Sequence, residues 1–220
     1  MDAQKYIEGR IANRSLVDAD PVSHPVSYRR TLLCVLVAVP VLVFGLVAYQ
    51  SWKFPQNYPF GFTHCCDKIL SLTLLNYAEA NGGWFPKGES CPEASLSLLY
   101  RANPSNLCYL PGKSVPEDAV KVILESGGLL GPTTCGWHYV EGLRNDDDSR
   151  LGLFWDKAGL NHNGGRLPEG GHYVCRVNGI VDYVRGKDWP AFLVEQAKLH
   201  KQLKREREKH EPETKSEVVE

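Results

Sequence analysis

TLLCVLVAVPVLVFGLVAYQSW, the run Thr31–Trp52, holds no charged residue. As a helix rising about 1.5 Å per residue it is roughly 33 Å long, which matches a hydrocarbon core of about 30 Å. A helix apolar on every side needs lipid or the centre of a large core around it. The rest of a 220-residue chain offers little room for such a core. The run therefore reads as one transmembrane helix. Pro40 inside it removes a backbone donor, so a kink is expected, and membrane helices tolerate proline better than soluble ones do. The apolar part of a cleaved signal peptide is shorter than this run and is followed by a small-residue cleavage site. Neither feature fits, so the run is read as an uncleaved signal anchor.

Working outward, Lys5, Arg10, Arg14, Arg29 and Arg30 precede the run, and the nearest basic residues beyond it are Lys53 and Lys68. The excess of positive charge places the N-terminus in the cytoplasm and everything after the helix outside it. Tyr49, Trp52 and Tyr58 suit the outer interface, where amphipathic rings settle. The chain then divides into five parts. Residues 1–30 read as a flexible cytoplasmic tail and 31–52 as the membrane helix. Residues 53–62, KFPQNYPFGF, hold two prolines and a glycine and read as a stiff extended linker. Residues 63–187 form an extracytoplasmic domain. Residues 188–220 form a charged tail, helical to about residue 211 with apolar Phe192, Leu193, Ala197 and Leu203, and disordered beyond.

Within the outer domain the pattern begins helical. Residues 63–81 carry Cys65, Ile69, Leu72 and Leu75 at helical spacing, with Thr63 to cap the start and Gly82-Gly83 to stop it. Pro92–Arg101 reads as a short helix with proline in its first turn. Ser114–Ser126 reads as another, with Ser114 and Glu117 at capping-box spacing and Gly127-Gly128 at its end. The period then changes. Trp137–Leu143, Leu151–Asp156, Tyr173–Asn178 and Ile180–Arg185 are short and rich in β-branched and aromatic residues. Asn178-Gly179 between the last two is a hairpin signal of the type I′ kind, with positive φ expected at both residues. Helices followed by antiparallel strands make an α+β domain.

Cys34 lies in the membrane run. The other six cysteines, Cys65, Cys66, Cys91, Cys108, Cys135 and Cys175, all fall in the outer domain, where the compartment permits disulfides. Spacing leaves the connectivity open. A Cys91–Cys108 clip across a short helix and a Cys135–Cys175 cross-strand bridge are the pairs that the elements favour, the second closing a loop worth up to about 4–5 kcal/mol in the chain-entropy description. The alternative is that several are free buried thiols. Adjacent Cys65 and Cys66 supply soft ligands for a metal or a redox pair, but zinc sites use wider spacing and no C-x-x-C is present. Separate structural roles are the plainer reading.

The order of these elements and three stretches of sequence resemble the type IV pilin and type II secretion pseudopilin group, and more narrowly the pilin-like proteins of planctomycete-type bacteria with an H-X9-DG C-terminal motif. LLNYAEANGGWFP, Leu74–Pro86, is similar to the end of a pilin helix running into its loop. FWDKAGLNHNGG, Phe154–Gly165, and HYVCRVNGIVDYV, His172–Val184, are similar to the closing hairpin, with His162, Gly164 and Gly165 in the glycine-rich loop and Asn178-Gly179 where Asp-Gly is usual. The resemblance covers residues 63–185. It implies a pilin-like head with an amphipathic helix and a small antiparallel sheet, envelope or pilin-like partners, and no enzymatic chemistry. Arg29-Arg30-Thr31-Leu32 stands where processed members have a cleavage site, and no glutamate occurs in the membrane run. The expectation is a pilin-type head on an ordinary anchor.

Two clusters invite a metal. Asn145, Asp146, Asp147 and Asp148 gather oxygen ligands of the sort calcium takes, and some pseudopilins hold calcium in a C-terminal loop. The plainer alternative is a solvated turn. His138, His162 and His172 lie in the sheet region, and His162 and His172, ten apart around a glycine-rich loop, suit a metal or, more simply, hydrogen bonds that fix loops. No G-x-S-x-G, H-E-x-x-H or phosphate loop occurs, so no enzyme is expected. The formal net charge is −1, and Lys198, Lys201, Lys204, Arg205, Arg207 and Lys209 share the tail with several glutamates, a mixed-charge pattern that speaks against a nucleic-acid surface. The leading expectation is a structural or assembly component of the envelope, working through protein–protein contacts. The alternatives are a binding module for calcium or a surface polymer and, more remotely, a thiol-redox or metal protein.

Overall fold

The computed structural model describes residues 28–62 and 65–210. The tail 1–27, the cap residue Thr63 and the segment 211–220 lie outside the described residues. Contacts divide the chain between Tyr49 and Gln50 into two units.

Helix α1 is Tyr28–Asn57, and none of its residues is buried. Leucines, valines and phenylalanines are exposed on all of its sides, Leu33 at 66% and Phe44 at 76%. It is the one described helix long and apolar enough to cross a membrane. It runs on through Pro40 and also through Pro55, where an extended linker was expected from Lys53. Proline's fixed φ is already helical, so its cost is one lost hydrogen bond and a crowded turn. Two contacts favour the extra turn. Phe54 and Tyr58, four residues apart, stack at 5.2 Å, and the Tyr58 amide donates to the Phe54 carbonyl at 2.8 Å. Gly61, at φ 78°, ends the helical path.

Helix α2, Asp67–Ala80, turns Leu70, Ser71, Leu74 and Ala78 inward. Its C-terminus is closed as expected: Gly82 and Gly83 take positive φ, and the Gly83 amide returns to Ala78 O at 2.8 Å. The expected helix 92–101 is two pieces, α3 (Pro92–Ser95) and α4 (Ser97–Ala102), which meet at Leu96. A 3-10 turn spans Pro104–Tyr109. Helix α5, Glu117–Glu125, starts after Pro116 without a side-chain cap, so the Ser114–Glu117 capping box does not form.

Four antiparallel strands follow in a meander: β1 (Trp137–Tyr139), β2 (Gly152–Asp156), β3 (His172–Arg176) and β4 (Val181–Val184), paired in chain order. β2 is buried at every residue. Its side chains divide between two cores, and a bulge between Gly152 and Phe154 interrupts the simple alternation. Leu153 and Phe154 both join the cluster that holds Leu70, Leu74, Trp137 and Cys175. On a second face Trp155 packs with Val174 and Phe192. Phe192 belongs to helix α6, Trp189–His210, so the second face is covered by the segment expected to be a separate charged tail. Trp189, Phe192, Gln196, Leu199 and Leu203 recur every three or four residues and form its inner stripe. Leu193 and Ala197 face outward instead.

The closing hairpin differs from the expected type I′ turn. The Gly179 amide donates to Arg176 O at 2.9 Å, and the Arg176 amide donates to Ile180 O at 2.8 Å. Gly179 has φ 83°, and Asn178 is not among the residues of positive φ. The loop is therefore the three-residue kind, Val177-Asn178-Gly179, with only its last residue left-handed. The Asn178 side chain accepts from the Ile180 amide at 3.1 Å. The Ser71 hydroxyl on α2 donates to Gly179 O at 3.1 Å, and a Cβ at 179 would stand 2.6 Å from Leu75 Cδ1. Glycine is required here twice over, by backbone sign and by the approach of α2. Replacing Gly179 with alanine is expected to destabilise the domain by about 1–3 kcal/mol, read as a lowered urea midpoint at unchanged slope.

Candidate functional site

The cysteines show first what the domain does not assemble. All seven are free thiols. The expected Cys135–Cys175 bridge fails on strand order. Cys135 precedes β1 and Cys175 lies in β3, with β2 between them. Two strand spacings of about 4.8 Å exceed the Cα separation that a disulfide spans. Cys91 precedes α3, and the Cys108 thiol turns to Ser105 O at 3.6 Å within its own 3-10 turn, so the Cys91–Cys108 clip does not form either. Cys65 is buried and donates to Tyr109 O at 3.2 Å, while Cys66 is half-buried and opens on another cleft beside His162. The neighbours thus point apart. Burial pushes the Cys65 thiol far up, and Cys135 and Cys175 up to about 12. Thiols so placed are poor nucleophiles and poor ligands.

The acidic loop is resolved into three separate ion pairs. Asp146 holds Arg144 at 2.8 Å, Asp148 holds Arg150 at 2.6 Å, and Asp147 holds Arg207 of α6 at 2.7 Å. The carboxyls of Asp146 and Asp148 lie below the usual range, chiefly through hydrogen bonds from their arginines. A calcium ion here would have to displace three guanidiniums. Asp147, with 8% of its side chain exposed, also accepts from the Arg144 amide at 2.7 Å. Arg207 adds a bond to Gly142 O at 2.6 Å, and its guanidinium lies over Trp84 at 4.9 Å. The loop works as a clasp for the C-terminal helix.

The glycine-rich loop is a second clasp. Asn161 Oδ1 accepts from the amides of Asn163 and Gly165, and Gly164 takes φ 83° to close the turn. His162 lies exposed at its tip. Next in the chain, the Arg166 amide donates to Asn57 O at 2.7 Å and its Nε to Gln56 O at 2.9 Å. The loop thereby satisfies the carbonyls that the end of a helix leaves open. A Cβ at Gly165 would press on Asn161 and Tyr58.

Three other histidines meet in a cleft of about 570 Å³ between the outer sheet face and α6, where His138, Trp155, Lys157, His172, Trp189 and His200 converge. Strand register places His138 opposite Trp155, and their rings stack at 4.2 Å. His172 stacks on Trp189 at 3.9 Å and donates its Nδ1 proton to Asp156 O at 2.9 Å. Lys157 is held by Glu93 at 2.6 Å. Buried Gln196 forms the cleft's floor, accepting from the Gly152 amide at 2.8 Å and donating to Arg150 O at 3.1 Å. The expected pair of His162 and His172 is not brought together: His172 meets His138 here, whereas His162 lies elsewhere. His200, Trp189 and Gln196 were missed. The three-and-four spacing of the α6 stripe was the signal that could have found them. Among the described residues no three His, Cys, Asp or Glu side chains are arranged to hold a metal ion. With this geometry in view, no family of known proteins, no curated protein and no solved structure matches the chain.

Two outcomes follow for α6. Replacing Arg207 with alanine removes charge-assisted bonds worth about 1.5–3 kcal/mol and is expected to raise amide exchange through residues 189–207. Burial depresses the pKa of His138, His172 and His200 below the ordinary 6.5, although Glu93, Asp156 and Asp147 oppose it. The unfolded chain therefore takes up protons first as pH falls, and stability present above 6.5 is lost below it. The denaturation midpoint followed by tryptophan fluorescence is expected to drop between about pH 7.5 and about pH 5.5. The drop should shrink when His138 and His200 are both glutamine.

Proposed function

We propose that this chain is a non-enzymatic, single-pass membrane protein whose outer domain is pilin-like and serves as a structural or assembly component of the cell envelope. The observation that carries the reading is an arrangement. A helix apolar on every side is followed by the amphipathic helix α2, which lies on a four-stranded antiparallel meander closed by a glycine hairpin. That is the order of a pilin-type head behind an N-terminal anchor. In this reading α1 sits in the lipid bilayer. The Arg29-Arg30 pair holds the N-terminus in the cytoplasm, and the domain stands outside it.

The surface supports contact rather than catalysis. Ile69 and Leu72 on the outer side of α2 and Ile180 at the hairpin are 40%, 59% and 55% exposed, an apolar face suited to other envelope or pilin-like proteins. The exposed cations of α6 alternate with glutamates, which suits no nucleic acid. A second reading, a binding module for a surface polymer, draws on the cleft, where the half-buried Trp189 ring stands among three imidazoles.

Mechanical shearing of intact cells, with immunodetection in the released and membrane fractions, tests the first reading. Full-length protein staying with the membrane until detergent is added is the expected result. Release of an N-terminally shortened form would instead mean assembly as a filament subunit. Full-length protein released by lysis without detergent would refute the anchor.

A further inference from the structure

The side chain of Lys113 has no exposed surface. Its Nζ stands 2.6 Å from Asp67 Oδ1 in the first turn of α2, 3.2 Å from Leu160 O and 5.3 Å from the centre of the Trp137 ring. Burying an ammonium and a carboxylate together costs solvation that their attraction only partly returns.

The backbone holds the lysine where it is. Gly112 has φ 75°, and a Cβ there would come within 2.7 Å of Gly136. The Gly136 amide donates to Pro111 O at 2.7 Å, and the Lys113 amide donates to Asp156 Oδ2 at 3.1 Å. The amine cannot withdraw to solvent without opening this crossing.

The two neighbouring carboxyls differ. Asp156 is 1% exposed and engages both oxygens with backbone amides, Oδ2 with Lys113 and Oδ1 with Ala158. Burial raises its own pKa. Asp67 Oδ1 is buried and accepts no directed hydrogen bond, although the lysine nitrogen touches it. The lysine nitrogen thus rests directly against a carboxylate oxygen that has no other partner, the proximity from which an intramolecular reaction gains most.

We propose that Lys113 Nζ and Asp67 Cγ join in an intramolecular isopeptide bond. One proton passes from the ammonium to the Asp67 carboxylate across the 2.6 Å contact, which leaves a neutral amine and a neutral acid. The nitrogen lone pair adds to Cγ, a second amine proton goes to the departing hydroxyl, and the C–O bond breaks to release one water. The product is a neutral secondary amide, and no oxidant or cofactor enters the balance. The water has a short way out, because 13% of the Asp67 side chain is exposed. Two buried charges are removed, and the start of α2 is tied covalently to the loop before α5. Asp156 acts as a positioning residue through the Lys113 amide.

The test is mass spectrometry on the full-length chain, purified in detergent, reduced and alkylated. An intact mass one water below that of the sequence with its seven cysteines alkylated is expected. So is a branched tryptic peptide joining the Asp67 and Lys113 segments, with no cleavage after Lys113. D67N should lose ammonia instead of water and keep the branch, whereas K113R should carry the full mass. D156A should slow formation of the branch in freshly made protein. Unmodified mass with normal cleavage after Lys113 in the wild-type chain would overturn the proposal and leave a buried ion pair only. The wild-type result decides even where a variant fails to fold. It is also independent of whether the protein is an envelope component.

Discussion

Strand β2 has no side that can face water. Phe154 and Trp155 point in opposite directions from a strand buried throughout, so each large ring needs its own cover. α2 and the short helices near it provide one, and α6 provides the other. Stacking two helical layers on a four-stranded sheet lets a domain of modest size bury four aromatic residues, Trp137, Tyr139, Phe154 and Trp155, on two adjacent strands. The clasps follow from this need. Arg207 on Asp147 fixes one end of the outer helix, and Gln196 fixes its middle by reading the backbone of Gly152 and Arg150. Gly152 is itself a consequence, since a Cβ there would press on Val174, Phe192 and Trp155.

Much of this was legible in the chain. The charge-free run stood out because lipid and water select such different compositions. The four strands stood out because Val, Tyr, Phe and Trp gather there at period two. The glycine stops after α2 and α5 were readable because positive φ leaves few other choices. The mixed helix-and-sheet class followed directly, with an apolar N-terminal helix and a small antiparallel sheet.

What stayed hidden was non-local. The partner of Asp147 lies 60 residues further on, so a loop of aspartates read as an ion site. The inner stripe of α6 includes Gln196, and a polar residue satisfied by backbone groups breaks the apolar period that would have announced a buried face. Its lysines and glutamates drew attention to the solvated side. The cysteine pairs were judged by element and not by strand order, which no spacing reveals. Lys113 offered nothing locally, because Asp67 reaches it from one distant stretch and Asp156 and Leu160 from another. The turn at Asn178-Gly179 was placed correctly and typed wrongly. The dipeptide fits two hairpin lengths, and Ser71 and Leu75 on α2 bear on Gly179 itself.

That α6 covers the sheet also sets an order of events during synthesis. A chain made from its N-terminus presents α2 and all four strands before residue 189 exists. Until Trp189 and Phe192 emerge, the outer surfaces of Trp155 and Val174 have only solvent, a chaperone or another nascent chain to rest against. The domain therefore completes itself late, after the sheet has been translated. A stop or cleavage ahead of Trp189 would release a sheet with one sticky face rather than a shorter working protein.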